Sequence, residues 1–370
     1  MKFTCDQKTL SKSLNIISKA VSQRTTMPIL KGILLETIEN NTLKISASDL
    51  DMTIEHKIQV EIIEEGSIVV PAKIFEDIIR KLPGEEVTVS IDDKQVKIES
   101  LNSEFTIAGM PSDEFPTIKD SKGEGNKLLL DSKLFMNMVR KTSFAASSDT
   151  SKPILTGVYI QLKKDSMTMV AIDGFRIAIS EEPAVNETET SVIISAKILN
   201  EIAKIISEND IEGNIEVIAD QKSAIFLIED IKIVVKIFEG QFIDYERIVP
   251  DFNRINLVID RKELMESIER ASLVSRTGKH NLIKLSAKGN VITVSSMSEE
   301  GVAKEDIVVA KTGEDIDIGF NAKYLLDVLK TLEDDSIIMK LNDNISFGLI
   351  ETEDEKSYKY VICPVRIANN

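Results

Sequence analysis

Histidine, cysteine and paired carboxylates are the side chains that hold metals and move protons, and this 370-residue chain is poor in them. Its two histidines, His56 and His280, stand in different thirds of the chain, and neither has a Cys, Asp or Glu at the spacing of a zinc site. Its two cysteines, Cys5 and Cys363, cannot build a disulfide framework and read as small buried or half-buried thiols. Asp49 and Asp51 would project from one face of a strand, a geometry that could hold a magnesium ion. The corresponding stretches, AIDGF and SSMSE, lack the pair, so it reads as a solvated strand end. There is no GxxxxGK[ST] or GxGxxG phosphate loop, and GEGNK at 123–127 has the composition of a linker. No set of nucleophile, base and orienting group stands out. The residues point to binding, with no cofactor and no metal. A metal-dependent enzyme around Asp49 and Asp51 and a repeat scaffold without a nucleic-acid role are the alternatives.

The chemistry that does recur is positive charge at helical spacing. PAKIFEDIIRKL (71–82) is nearly repeated as SAKILNEIAKII (195–206) and NAKYLLDVLKTL (321–332). The anchors Ala72, Ala196 and Ala322 are 124 and 126 residues apart. At 100° per residue, Lys73 with Arg80, Lys197 with Lys204, and Lys323 with Lys330 share a face opposite an apolar stripe of Ile74, Phe75, Ile78 and Leu82 or their equivalents. A segment at 6–22 sets Lys8, Lys12 and Lys19 opposite Leu10, Leu14, Ile17 and Val21. One at 131–146 offers Lys133, Arg140 and Lys141, and one at 260–275 is mixed, with Glu266 and Glu269 beside Lys262 and Arg270. Mixed charge is ordinary on a solvated helix, and Asp77, Glu201 and Asp327 interrupt these faces. A basic position kept in three copies of a chain of net charge −16 instead suggests a surface for phosphates. With no Trp and only 5% aromatics there is no platform for stacking single-stranded bases, and no helix is furnished to read base edges. Lysine contacts to phosphate position a protein without specifying sequence.

Each copy sits in the same succession of elements. An amphipathic helix opens the unit, a strand pair follows, then the anchored helix, then alternating strands such as EVTVSIDDKQVKIES, IEVIADQKSAIFLIED and SIIMKLNDNISFGLIET. The pattern predicts three tandem α+β domains, 1–125, 126–253 and 254–370, each with two helices on one side of antiparallel sheets. KDSKGEGNK (119–127) is the clearest linker, and DFNR (251–254) marks the second boundary. No apolar run approaches the ~20 residues of a membrane span. The N-terminus lacks a signal peptide's apolar core, so a cytoplasmic protein without a membrane partner is expected.

Seven collinear segments resemble the bacterial DNA polymerase III beta subunit family, the sliding clamps. They are MKFT at the start, RTTMPILKGILLE (24–36), VVPAKIF (69–75), AIDGFRIA (171–178), FIDYERIVP (242–250), GFNAKYLLDVL (319–329) and CPVRI (363–367). The resemblance implies three clamp-like domains and a head-to-tail homodimer that closes a six-domain ring. With ~9 Å between neighbouring helix axes, its twelve helices would line a circle ~35 Å across, wide enough for a duplex. It implies a non-catalytic processivity factor for double-stranded DNA. Its implied partners are the replicative polymerase, the clamp loader, and repair and mismatch proteins carrying a clamp-binding peptide with a Gln and a Leu-Phe-like end.

Carried over position by position, the resemblance implies a peptide pocket walled by Leu155, Ile172, Gly174, Phe175, Arg176, Ile177, Arg247, Ile248, Val361, Cys363, Pro364, Val365 and Arg366, with Asn321 and Tyr324 nearby. Arg and Asn at the rim would fix the peptide backbone. The implied DNA-facing set is Lys12, Arg24, Lys73, Arg80, Lys141, Lys152, Lys197 and Lys204. The implied dimer contact sets Phe105 and Ile107 against Leu273 and Val274, with Glu299, Glu300 and Glu305 meeting Lys73, Lys94 and Lys97. Against the family pattern, Phe175 replaces a usual His, Ile243 a usual Pro, and Cys363-Pro364-Val365 a usual Met-Pro-Met. The chain also runs on through Ala368–Asn370.

Overall fold

Each anchored helix begins where a strand that buries alternate residues gives way to a stripe of period 3.6. The computed structural model describes residues 1–22, 24–116, 126–184, 189–220, 222–249, 254–275, 281–352 and 357–367. Most of the linker at 119–127, most of the DFNR boundary, His280 and the tail 368–370 lie outside the described residues. Six α-helices fall where the repeat predicts them. These are α1 (Gln7–Ile17), α2 (Ala72–Lys81), α3 (Ser132–Thr142), α4 (Ala196–Glu208), α5 (Arg261–Ser275) and α6 (Ala322–Thr331). Capping fixes two of the starts: the Asp6 carboxylate accepts the Thr9 N–H at 2.7 Å, and the Asn321 side chain accepts the Lys323 N–H at 2.9 Å.

The chain divides into two compact units, residues 1–133 with 201–237, and 134–200 with 238–370. In the first, a five-stranded antiparallel sheet runs Glu61–Glu64, Lys2–Asp6, Glu86–Asp92, Gln95–Ser100, Ser103–Ala108. An eight-stranded sheet joins Ile231–Lys236 to Met52–Gln59, with Ile233 opposite Ile54. In the second unit, a nine-stranded sheet joins Arg176–Pro183 to Tyr358–Ile362, with Ile177 opposite Val361. A four-stranded sheet runs Gly301–Val308, Val291–Ser298, Leu282–Lys288, Ile316–Asn321. The two large sheets thus cross the divisions suggested by the repeat. Strands of neighbouring repeats pair edge to edge, which hides backbone groups that would otherwise lie open.

The anchored helix α2 packs differently from expectation. It buries Ala72, Phe75 and Ile79, and the following Leu82 is covered as well, whereas Ile74 is 47% exposed and Ile78 only half-buried. The small Ala72 belongs to the inner stripe, which rotates the buried face away from Ile74.

Candidate functional site

The expected groove residues all fall in the second unit, around the junction of Arg176–Pro183 with Tyr358–Ile362. Asp173 makes the turn at the strand end: its Oδ1 accepts the N–H groups of Phe175 at 2.9 Å and Arg176 at 3.1 Å. Gly174 takes the left-handed backbone this turn needs, at φ +94°, and has open space around it. The turn leaves Phe175 58% exposed. On the other side, the Val365 N–H donates to the Gly319 carbonyl at 2.8 Å, and the Cys363 N–H to the Phe175 carbonyl at 2.7 Å. A Cβ at position 319 would come within 2.6 Å of the Val365 carbonyl, so glycine is what lets Cys363–Val365 lie this close.

Beneath these segments lies one apolar cluster. Ile172, Ile177 and Val361 are buried in it with Val170, Phe242 and Leu349, and Ile248 packs against it half-buried. Ile172, Ile177 and Val361 are therefore buried in this cluster, not exposed as wall residues would be. Leu155, Tyr324, Asn321, Cys363, Pro364 and Val365 are half-buried, and Gly174, Arg247 and Arg366 are exposed. Asn321 uses its side-chain oxygen to cap α6. Sequence reading missed the aromatic part of this cluster: Tyr159 stacks on Phe242 with centroids 5.0 Å apart, and Tyr245 lies 6.4 Å from Tyr159. Burial, then the charge of Glu246 and others nearby, pushes the Tyr245 phenol up to about 12. The one available signal was FIDYERIVP itself, which carries Phe242 and Tyr245 beside the expected Arg247 and Ile248.

Arg176 requires a correction. Its side chain is 4% exposed, not at the rim. Nε donates to Asp173 at 2.9 Å, Nη1 to Asp327 at 2.6 Å and Nη2 to the Phe144 carbonyl at 2.7 Å. The guanidinium lies 4.4 Å from the Tyr324 ring centroid and 5.5 Å from that of Phe144. Burial is the largest influence and works against its charge, yet Tyr360, Asp327 and Asp173 together outweigh it and raise the pKa. A guanidinium taken from water persists only when paired and hydrogen-bonded in this way.

The basic positions also divide. Lys12, Arg24, Lys73, Arg80, Lys152, Lys197 and Lys204 are exposed. Lys12, Lys73, Lys152 and Lys197 form no ion pair with a described residue. Arg80 pairs with Asp77, and Lys204 lies 3.7 Å from Glu208. Such exposed pairs contribute only ~0–1 kcal/mol, so either cation can be given up to a phosphate. Lys141 is a second correction: it is 3% exposed, with its ammonium 5.8 Å from the Tyr358 ring centroid. It ends α3 facing inward, because the apolar stripe of that helix continues past Val139 into the 3-10 turn at Ser143–Ala145.

Phe105 stands half-exposed on Ser103–Ala108, an edge strand of its sheet. Ile107, two residues further on, is largely buried against its own sheet. Leu273 is exposed and Val274 half-buried at the end of α5. Glu305 is held by Arg270 Nη2 at 2.6 Å, and Lys97 by Glu99 at 2.8 Å and Glu104 at 3.2 Å, so these charges are engaged within the chain. Asp49 and Asp51 lie in a turn, where Asp49 Oδ1 accepts the N–H groups of Asp51 and Met52. The His56 ring shares a 2.9 Å hydrogen bond with Ser13. Among the described residues no group of three or more His, Cys, Asp or Glu is placed to hold a metal. No described helix is long and apolar enough to cross a membrane.

Repeated α+β units, an aliphatic and aromatic cluster beneath an exposed turn, and exposed lysines on recurring helices mark a binding protein of the clamp class. Three domain families match in order: the DNA polymerase III beta subunit N-terminal domain over 1–119, the central domain over 129–244 and the C-terminal domain over 246–366. The beta sliding clamp of Staphylococcus epidermidis is 33% identical over 99% of both chains, and that of Staphylococcus aureus 32% over the same share. Among solved structures, the Bacillus subtilis DNA polymerase sliding clamp superposes with a TM-score of 0.95 at 31% identity, covering 100% of both chains. The Thermotoga maritima DNA polymerase III beta subunit gives 0.92 at 33%, covering 99% of this chain and 100% of its own. This chain belongs to the DNA polymerase III beta subunit family, the bacterial beta sliding clamps.

Proposed function

We propose that this chain is a DNA sliding clamp, a non-catalytic processivity factor that encircles duplex DNA without reading its sequence and tethers a replicative polymerase. The observation that carries this reading is the chain-long similarity to beta sliding clamps. Two copies meet head to tail and close a ring of six domains, with boundaries at 125/126 and 253/254. The edge strands Ser103–Ala108 and Gly301–Val308 support this assembly. Each presents unpaired backbone beside exposed apolar side chains, Phe105 on one and Val302 and Val308 on the other. Lys12, Arg24, Lys73, Arg80, Lys152, Lys197 and Lys204 face the phosphates. The groove between Phe175, Tyr324, Ile248 and Cys363–Arg366 receives the peptide by which the polymerase, the clamp loader, and repair and mismatch proteins dock. The setting is the cytoplasm, where the DNA is.

The test combines mass measurement in solution with binding of a Gln-containing, Leu-Phe-ended peptide. A dimer that binds the peptide is expected. A strict monomer at micromolar concentration would overturn the ring, and a dimer indifferent to the peptide would overturn the docking groove.

A further inference from the structure

Two rings form a shelf at the head of the groove. Phe175 and Tyr324 lie near-parallel, at 25°, with centroids 6.4 Å apart. Phe175 belongs to the turn begun by Asp173 and Tyr324 to α6, so nothing local in the sequence holds the two rings in register. The Arg176 guanidinium reaches both supports. It bonds Asp173 in the turn and Asp327 on α6, three residues beyond Tyr324, while lying against the Tyr324 ring. Its third bond, to the Phe144 carbonyl, ties the same group to the 3-10 turn at Ser143–Ala145. The Tyr324 carbonyl is fixed in turn by the Tyr360 hydroxyl at 2.9 Å.

We propose that Arg176 is a positioning residue: it holds the Phe175–Tyr324 shelf on which a partner's apolar or aromatic side chain rests, and does not itself touch the partner. The proposal rests on the docking reading above. With its side chain 4% exposed and three of its five N–H groups turned to Asp173, Asp327 and Phe144, the guanidinium does not present itself to a partner carboxylate. The shelf therefore selects by shape and apolar area. Arginine is required because a planar fork can bond carboxylates in two directions while stacking on a ring, which a lysine ammonium cannot.

The test measures affinity of the full-length chain for a Gln-containing, Leu-Phe-ended peptide. The variants are Arg176→Gln, Arg176→Lys, Asp327→Asn, Tyr324→Ala and the Tyr324→Ala/Arg176→Gln double. Arg176→Gln is expected to weaken binding about tenfold, with Arg176→Lys intermediate, as for contacting residues that act as a unit. In the Tyr324→Ala background, Arg176→Gln should cost less than about twofold more, because the ring it positions is gone. Asp327→Asn leaves Arg176 in place and should still weaken binding about threefold, which keeps the proposal testable if Arg176→Gln fails to fold. Wild-type affinity in Arg176→Gln or Asp327→Asn would overturn the positioning role. So would losses that multiply in the double variant, since they would mean direct contact with the peptide. Absence of binding by the wild-type chain would instead remove the docking reading, and this proposal with it.

Discussion

Arg176 Nη1 and Asp327 Oδ2 stand 2.6 Å apart although 151 residues separate them in the chain. This ion pair bolts the strand beginning at Arg176 to α6, beside the main-chain pairing of Arg176–Pro183 with Tyr358–Ile362. Removing the cation takes from Asp173 and Asp327 their shared buried partner, leaving Asp327 with Lys323 at 3.1 Å and Asp173 with its main-chain N–H donors. Arg176→Ala should cost about 3–5 kcal/mol of stability, the range for breaking a buried pair. Asp327, at 26% side-chain exposure, keeps access to water, so Asp327→Asn should cost less. Urea unfolding of the two variants measures this, and equal small losses would contradict the strut.

The exposed lysines and Lys141 should separate cleanly. Replacing Lys73, Lys197 and Lys204 with Glu should shorten retention on nicked circular DNA after loading, while the dimer persists. The slope of log affinity against log salt should fall by about one for each phosphate contact removed. Lys141→Glu should act on stability instead, costing about 3 kcal/mol because it buries a carboxylate where an ammonium now lies by the Tyr358 ring. A Lys141→Glu protein that is fully stable yet poor in DNA retention would return Lys141 to the DNA face.

Phe105 on its edge strand and Leu273 at the end of α5 predict a polarity-sensitive dimer. Phe105→Asp and Leu273→Asp place a charge on exposed apolar positions of opposite interface halves, and each should give folded monomers by sedimentation. Ile107→Asp should behave differently. Its side chain is covered by its own sheet, so the substitution should lower the melting temperature before any change in assembly is measurable. Undisturbed dimers from both surface variants would move the interface elsewhere.

His56 sets an acid-side limit on stability. Burial, the largest cause, lowers its pKa below 6.5, with Asp230 opposing and Lys12 reinforcing. The unfolded chain therefore takes up the proton more readily. The stability from neutral His56 is complete above about pH 6.5 and is lost as pH falls through the depressed folded value. Denaturation midpoints measured between pH 7.5 and 5 should decline more steeply for the wild type than for His56→Gln. Parallel curves would contradict this.

The six helices were legible because the Ala-Lys anchors and the 3.6-residue period are local properties. Which stripe of α2 faces inward was not, because isoleucines at 74, 78 and 79 satisfy helical periodicity on two overlapping faces. Packing chose the face with Ala72 and Ile79, through close approach that no single helix encodes. The pairing of Ile231–Lys236 with Met52–Gln59 escaped for a related reason, since alternation marks a strand but not its neighbour. Arg176 was found by its family position but its role was misjudged. Nothing in DGFRIA announces an Asp 151 residues away, and an arginine beside an exposed turn reads as a rim residue until its partners are seen.

The two cysteines should report on the groove without any mutation. Burial, assisted by the charges of Asp6 and Glu86, pushes the Cys5 thiol up to about 12, and Cys5 sits inside the strand Lys2–Asp6. Cys363 is only half-buried, and burial raises its thiol too, so its reaction should be slow but possible through the minor thiolate fraction. At pH 8 the native chain should take up one equivalent of iodoacetamide, at Cys363, and two once unfolded. Because Cys363 flanks Phe175 through the 2.7 Å main-chain bond, a peptide seated on the shelf should cover it and slow that alkylation. Mass spectrometry of the alkylated chain with and without peptide gives the answer. Unchanged labelling of Cys363 at saturating peptide would place the bound segment away from the wall built by residues 363–365.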